Sequence, residues 1–110
     1  MTWVDELEGP IPTLRDLALE ALDGLDEVTS APGLDVTTYA RGGHPFAALA
    51  ARDIEVRLEP LVATAALRTP DTTESPRGPG WVRFSPGSLD RFAADRVIAW
   101  IEHAWRHADE

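Results

Sequence analysis

The sequence predicts a small two-layer α+β domain, in which an antiparallel sheet of about four strands carries helices on one face. The clearest strand lies at residues 54–59, where apolar side chains alternate strictly with charged ones, as in a half-buried strand. Segments with apolar residues at helical spacing lie on both sides of it, one beginning near Thr13 and one ending near Ala108. The predicted order of elements is αβββαβα.

Length and composition indicate a single domain with one core. The chain has 110 residues, of which 44% are hydrophobic, and it has no cysteine. We therefore expect neither disulfides nor cysteine-based metal sites. Residues 1–12 are acidic and interrupted by Gly9, Pro10 and Pro12, which predicts an N-terminal arm ahead of a domain at residues 13–108.

The N-terminal half predicts one helix and a three-stranded meander. Thr13 and Asp16 resemble a capping box at the start of the helix. A turn is expected at residues 30–33, followed by a strand at 34–41 that is rich in β-branched residues. The pair Gly42-Gly43 provides a tight hairpin turn into a strand at 46–51, although its alanines leave a helix open as an alternative.

The C-terminal half predicts a short helix, a long loop, a strand and a long helix. Pro60 suits the first turn of the short helix, which continues to Leu67. The segment 69–80, rich in threonine, proline and glycine, predicts a mobile loop, and 81–84 predicts the fourth strand. Ser88 is the expected cap of the last helix. One side of that helix is apolar and is expected to pack on the sheet, with Ala93, Val97, Trp100, Ile101, Ala104, Trp105 and Ala108.

Charge excludes several classes of partner. The net charge is −9, and residues 1–35 hold nine carboxylates against Arg15 alone. Such a field repels phosphate backbones and anionic lipid surfaces, so we expect neither nucleic-acid nor membrane binding. The chain also shows no signal peptide and no apolar run long enough to span a bilayer. These observations predict a cytoplasmic protein.

Histidines offer one candidate metal site. His103 and His107 are four residues apart on the last predicted helix, the spacing at which two imidazoles can share a metal. A metal-dependent enzyme would have to add His44 and a carboxylate from Glu102 or Asp109. The pair lacks the glutamate of the zincin motif, and two partly exposed histidines near a helix C-terminus are the favoured explanation. The prediction therefore includes no metal and no cofactor.

Other candidates also have simple structural explanations. Residues 41–44 could form an anion-binding nest, but a hairpin turn accounts for the same glycines. The carboxylates of Glu55 and Glu59 could serve acid/base chemistry, yet the outward face of an alternating strand is usually solvated. A tryptophan-lined pocket is the alternative to simple core packing for three residues, Trp81, Trp100 and Trp105.

The leading functional hypothesis is a non-catalytic module that binds an unidentified protein or small molecule. Strand alternation places Arg57, Trp81 and Arg83 on the sheet face opposite the helices. An uncovered sheet face or edge also favours a homodimer. Nucleic-acid binding and a histidine-dependent enzyme are the alternatives.

The order of elements, and several short motifs within it, resembles the MmcQ/YjbR-like proteins and the similar luciferase-domain group. The resemblance spans residues 17–107, and the motifs that carry it are Phe46, Ile54-Glu55-Val56-Arg57-Leu58-Glu59-Pro60, Gly80-Trp81-Val82-Arg83-Phe84 and Ala99-Trp100-Ile101-Glu102-His103-Ala104-Trp105. It implies a fold like that of type III secretion chaperones. MmcQ/YjbR-like proteins are often labelled DNA-binding and tend to carry lysine before the proline; this chain has Arg57-Leu58-Glu59 there, so the resemblance does not extend to DNA binding.

Overall fold

The computed structural model describes residues 13–109, which form three helices and six strands around one core. The helices are α1 (Leu14–Asp23), α2 (Pro60–Ala66) and α3 (Arg91–Arg106). The strands are β1 (Val28–Pro32), β2 (Thr37–Arg41), β3 (His44–Leu49), β4 (Ile54–Arg57), β5 (Thr72–Glu74) and β6 (Trp81–Phe84). The predicted N-terminal arm, residues 1–12, lies outside the described residues.

All six strands form one antiparallel sheet in the order β1-β2-β3-β4-β6-β5. Strand β4 is central, with Val56 opposite Ala47 of β3 on one side and opposite Val82 of β6 on the other. The α+β class and the antiparallel sheet are therefore confirmed.

The helices pack on one face of this sheet. Helix α3 lies across β3 and β4, α1 packs on α3, and α2 contacts β6. The largest buried side chains, all fully inaccessible, are Phe46, Phe84, Leu49, Ile54, Ile101, Val56, Val82 and Val97. The apolar sides of the helices and of the strands therefore form one core. In it the rings of Phe84 and Trp100 pack edge to face with centroids 5.6 Å apart.

Two local predictions in the N-terminal half are confirmed. The Thr13 Oγ1 accepts a hydrogen bond from the Asp16 amide at 3.1 Å, and the Asp16 carboxylate accepts one from the Thr13 amide at 3.2 Å. The β2–β3 hairpin turns at Gly42 and Gly43, which have φ of +58° and +82°. Residues 44–49 are a strand, so the helical alternative for this segment is wrong.

A β-bulge in this hairpin adds one buried side chain to the core. The register shifts between Tyr39, opposite Ala47, and Ala40, opposite Pro45. Phe46 is therefore the extra residue of β3, and both Phe46 and Ala47 are fully buried.

The sheet has six strands rather than the four predicted, and the order of elements is αββββαββα. The first unpredicted strand, β1, occupies residues 28–32 and overlaps the turn that was expected at 30–33. Four of its five residues are exposed, so it lacks the alternating burial that marks a strand in sequence. It adds to the sheet by pairing with β2.

The second unpredicted strand, β5, lies within the segment expected to be a mobile loop. It has only three residues and pairs with β6, with Thr73 opposite Arg83. A strand this short carries too few side chains for periodicity to reveal it.

Helix α3 differs from the prediction only at its start. Its N-cap is Asp90, whose carboxylate accepts a hydrogen bond from the Ala93 amide at 2.7 Å, and not Ser88. The predicted apolar side is confirmed: Ala93, Val97, Trp100, Ile101, Ala104 and Ala108 are buried, and Trp105 is partly buried. None of the helices within residues 13–109 is long and apolar enough to cross a membrane.

Candidate functional site

The outer face of strands β4 and β6 carries the three residues singled out in the sequence. Arg57 lies opposite Trp81, and Glu55 lies opposite Arg83. Residues that alternate with them, such as Val82, are buried in the core on the helix side. We call the set Arg57, Arg77, Trp81 and Arg83 the basic face.

Glu55 is a buried residue that contacts two arginines of the basic face, Arg77 and Arg83. It is only 5% exposed, and its carboxylate accepts hydrogen bonds from Ser75 Oγ at 2.5 Å, Arg77 Nε at 2.8 Å and an Arg83 guanidinium nitrogen at 3.2 Å. Burial raises the pKa of Glu55, but the hydrogen bonds from Ser75 and Arg77 and the charges of Arg77 and Arg83 outweigh it and lower the pKa below its ordinary value. The expectation that this carboxylate is solvated is wrong.

The segment that follows β5 covers Glu55. Ser75 is held by a hydrogen bond from its amide to the Trp81 carbonyl at 3.1 Å, and the Trp81 amide donates to the Gly78 carbonyl at 3.2 Å. These bonds bring Arg77 over the Trp81 ring, with the guanidinium carbon 5.6 Å from the ring centroid. Arg77 was not predicted as a site residue, because it lies in a proline- and glycine-rich segment without periodicity.

A cleft opens on the basic face between β3, β4 and the covering segment. It has a volume of about 370 Å³ and is lined by Pro45, Arg57, Arg77 and Trp81. Two arginines and a partly exposed indole therefore line one shallow depression.

Arg57 also links the sheet to the end of α3. Its guanidinium donates to the carbonyl oxygens of His107 at 3.0 Å and Ala108 at 2.8 Å. Arg41 acts similarly, donating to the Trp105 carbonyl at 3.1 Å and stacking on the Trp105 ring at 4.1 Å. Both arginines place positive charge at the C-terminal end of α3, where it is electrostatically favourable.

A second cluster lies on the other side of Arg57. His103 and His107 are on the last turns of α3, with ring centroids 4.5 Å apart. The Glu59 carboxylate reaches both: one oxygen is 3.7 Å from His103 Nε2 and the other 3.7 Å from His107 Nδ1. We call Glu59, His103 and His107 the histidine cluster. The sequence predicts only a solvated carboxylate for Glu59. Its contact with the histidines could not be predicted, because Glu59 and His103 are 44 positions apart in sequence.

The structure does not bring the other predicted ligands to this cluster. Among the described residues, the one group of three possible metal ligands is Glu59, His103 and His107. His44 is exposed at the start of β3, and Glu102 is exposed on α3. Arg96, on the same helix as His103, places its guanidinium carbon 5.8 Å from the centroid of the Phe84 ring.

The remaining candidates have structural roles. Trp100 is in the core, and Trp105 Nε1 donates to the Asp26 carbonyl at 2.9 Å. They lie on the helix side of the sheet, whereas Trp81 is on the basic face, so the three tryptophans do not line one pocket. Gly42 and Gly43 form the hairpin turn described above.

Comparison with known proteins supports the fold and nothing further. No protein-family model matches the chain, and no curated protein matches it. It is similar to a Pseudomonas syringae protein whose crystal structure was solved by the Northeast Structural Genomics Consortium. The TM-score is 0.66 at 10% identity, over 86% of this chain and 97% of that one.

Proposed function

We propose that the chain is a non-catalytic binding module whose basic face binds a short acidic segment of a partner protein. The observation that carries the proposal is the charge of that face. The guanidinium groups of Arg77 and Arg83 contact the Glu55 carboxylate, and Arg57 lines the same cleft as Arg77, although the chain as a whole has a net charge of −9.

The distribution of acidic residues supports the choice of an acidic ligand. Carboxylates of α1, such as Asp16 and Glu20, are exposed on a helix that packs on α3. That helix is on the opposite side of the sheet from the basic face. The carboxylates of α1 therefore lie away from the basic face, and a short acidic segment can approach the arginines without passing them.

The chemistry of the cleft fits a peptide. The planar guanidinium group of arginine matches the geometry of a carboxylate better than a lysine ammonium does, and tryptophan and arginine are the residues that most often dominate binding energy at interfaces. The Trp81 ring and Pro45 supply apolar area beside the charges. We infer that a carboxylate of the ligand pairs with Arg77 while an adjacent apolar side chain packs on Trp81.

Fluorescence polarisation with a labelled peptide of alternating glutamate and phenylalanine tests the proposal. We expect saturable binding that Arg77→Glu weakens at least about tenfold, equivalent to about 1.4 kcal/mol. Arg91→Glu is the matched control, since it makes the same change of charge at the N-terminal end of α3. This helix has 16 residues, so Arg91 lies roughly 24 Å along the axis from the C-terminal end that Arg57 contacts. Equal affinity of the two variants, or no binding by the wild type, would contradict the proposal.

One family-based expectation, DNA binding, is tested in the same assay. We propose that the chain is a distant relative of the MmcQ/YjbR-like proteins; the position of Pro60 shortly after β4, at the start of α2, and of Gly80-Trp81-Val82 at β6 supports this. A short DNA duplex should nevertheless show no measurable affinity at low salt, because acidic side chains dominate the rest of the surface.

A homodimer and a cytoplasmic location remain proposals. Strand β1 supports the dimer, since it is an edge strand with four exposed residues, and such edges tend to pair. Native mass spectrometry of untagged protein reports the oligomeric state and any small molecule that is retained. A monomer at all concentrations would exclude the dimer.

A further inference from the structure

We infer that the histidine cluster, Glu59 with His103 and His107, is a binding site for a divalent transition-metal ion such as Zn²⁺. The inference is independent of the proposed peptide binding. The peptide is proposed to bind in the cleft lined by Arg77 and Trp81, whereas the histidine cluster borders a different cleft on the other side of Arg57. It starts from the chemistry of the three groups: two imidazoles and one carboxylate are a common protein ligand set for zinc that keeps an open coordination position.

The distances in the cluster fit a metal better than they fit hydrogen bonds. Both Glu59 oxygens are 3.7 Å from an imidazole nitrogen, which is beyond the usual hydrogen-bonding range of about 2.7–3.2 Å. Zinc bonds of about 2.0–2.2 Å in tetrahedral geometry place neighbouring ligand atoms roughly 3.3–3.6 Å apart. All the candidate ligand atoms lie within 4.8 Å of one another, so a small side-chain rotation is sufficient to bring the set together.

The backbone holds the three ligands in place. Ile101 and Ala104 are buried in the core on the same helix as both histidines. Glu59 is the N-cap of α2, yet its carboxylate makes no capping hydrogen bond to the first turn of that helix. The carboxylate is directed instead toward the two imidazoles.

One hydrogen bond at His103 is also compatible with a metal. The Glu59 amide donates to His103 Nε2 at 3.3 Å, and a nitrogen that accepts a hydrogen bond carries the lone pair that a metal requires. This hydrogen bond is long, and a metal ion bound to His103 Nε2 would take the lone pair that now accepts it. The loss of the acceptor should therefore be visible at the Glu59 amide.

The surroundings leave room for the ion and for a further ligand. His103 and His107 side chains are 14% and 29% exposed, and His107 and Glu59 line a cleft of about 240 Å³ with Pro79 and Gly80. Arg57 lines the same cleft, which reduces the affinity for a cation. Its charge is partly offset by the His107 and Ala108 carbonyls to which it donates and by the negative end of the α3 dipole.

Titration of untagged full-length protein with Zn²⁺ and with Co²⁺ tests the inference. We expect one equivalent to bind, with visible Co²⁺ absorption bands typical of a four- or five-coordinate site that Zn²⁺ abolishes. In an ¹⁵N spectrum, Zn²⁺ should shift the Glu59 amide. His107→Gln and Glu59→Gln should each weaken Zn²⁺ binding at least about tenfold, or about 1.4 kcal/mol.

His44→Gln is the matched control, because His44 is exposed on a strand outside the cluster. Circular dichroism establishes that each variant is folded, and the two-variant design does not depend on the more buried His103. The inference is overturned if the wild type binds Zn²⁺ with a dissociation constant above about 0.1 mM. It is equally overturned if His44→Gln weakens binding as much as His107→Gln.

Discussion

Glu55 shows how one buried carboxylate organises a binding surface. It accepts hydrogen bonds from Ser75, Arg77 and Arg83, which come from the covering segment and from β6. A buried acceptor with three donors fixes the side chains around it. Glu55 thereby holds Arg77 over Trp81. The geometry of the cleft therefore depends on Glu55, although Glu55 itself does not line the cleft.

Glu55→Gln should destabilise the fold by about 1–3 kcal/mol, a range kept modest because Arg77 and Arg83 are partly exposed. The lowered pKa means that the native state stabilises the ionised form. This contribution is present above the ordinary value of 4.5 and is lost as the pH falls through the lower native value.

Urea denaturation at neutral and at acidic pH measures both effects. The stability difference between wild type and Glu55→Gln should shrink as the pH falls below 4.5. Glu74→Gln, on an exposed residue of β5, is the control and should change stability little. A difference between wild type and Glu55→Gln that is independent of pH would show that the charge of Glu55 is not the source of its contribution.

Gly80 is a second residue whose identity the fold requires. Its φ is +82°, and an added Cβ would lie 2.6 Å from the Leu58 carbonyl oxygen. The Leu58 amide donates to the Gly80 carbonyl at 2.8 Å, so the two backbones cannot separate without losing this bond.

Gly80→Ala should therefore destabilise the domain by at least about 1–3 kcal/mol in a thermal or urea melt. Gly87→Ala is the control. Nothing lies within 4 Å of a Cβ at Gly87, and we expect a change within about 0.5 kcal/mol. Equal effects of the two substitutions would disprove the close approach of Gly80 to β4.

At the level of elements, the start of α3 distinguishes what the structure shows from what the sequence predicts. Serine and aspartate are both good N-caps, so Ser88 and Asp90 compete in sequence. In the structure the Asp90 carboxylate accepts the Ala93 amide. Asp90→Ala should cost about 1 kcal/mol, whereas Ser88→Ala should be nearly neutral; the opposite ranking in thermal melts would restore the original prediction.

Elements with a periodic apolar pattern could be predicted, and elements without one could not. Strand β4 and helix α3 each direct their apolar side chains to one side, and this periodicity is visible in the sequence. Strand β1 is mostly exposed and β5 has three residues; each forms because a neighbouring strand offers it backbone hydrogen bonds. Such pairing depends on tertiary contacts rather than on local pattern.

The candidate sites follow the same rule. Arg57, Trp81 and Arg83 could be placed on one face because strand alternation is local. Arg77 and Glu59 could not be placed, since Arg77 reaches Glu55 through the covering segment and Glu59 reaches the histidines across 44 positions of sequence. No spacing rule connects residues that meet only in the folded chain.

At the level of the whole molecule, the sheet separates the exposed carboxylates of α1 from the basic face. Helices α1 and α3 pack on one side, where α1 exposes carboxylates. The other side carries the arginines of the basic face around Glu55. A partner with a short acidic segment is therefore attracted to one side only, which orients its approach.

The most direct test of the account is an ¹⁵N spectrum recorded during titration with the glutamate-phenylalanine peptide. The indole N–H groups of Trp81, Trp100 and Trp105 report the basic face, the core and the contact of α3 with the segment between α1 and β1 in turn. We predict that the Trp81 indole and the Arg77 Nε–H shift progressively while the Trp100 and Trp105 indoles stay in place. A Trp81 signal that does not move at saturating peptide, or shifts confined to Trp105, would contradict the assignment of the basic face as the binding surface.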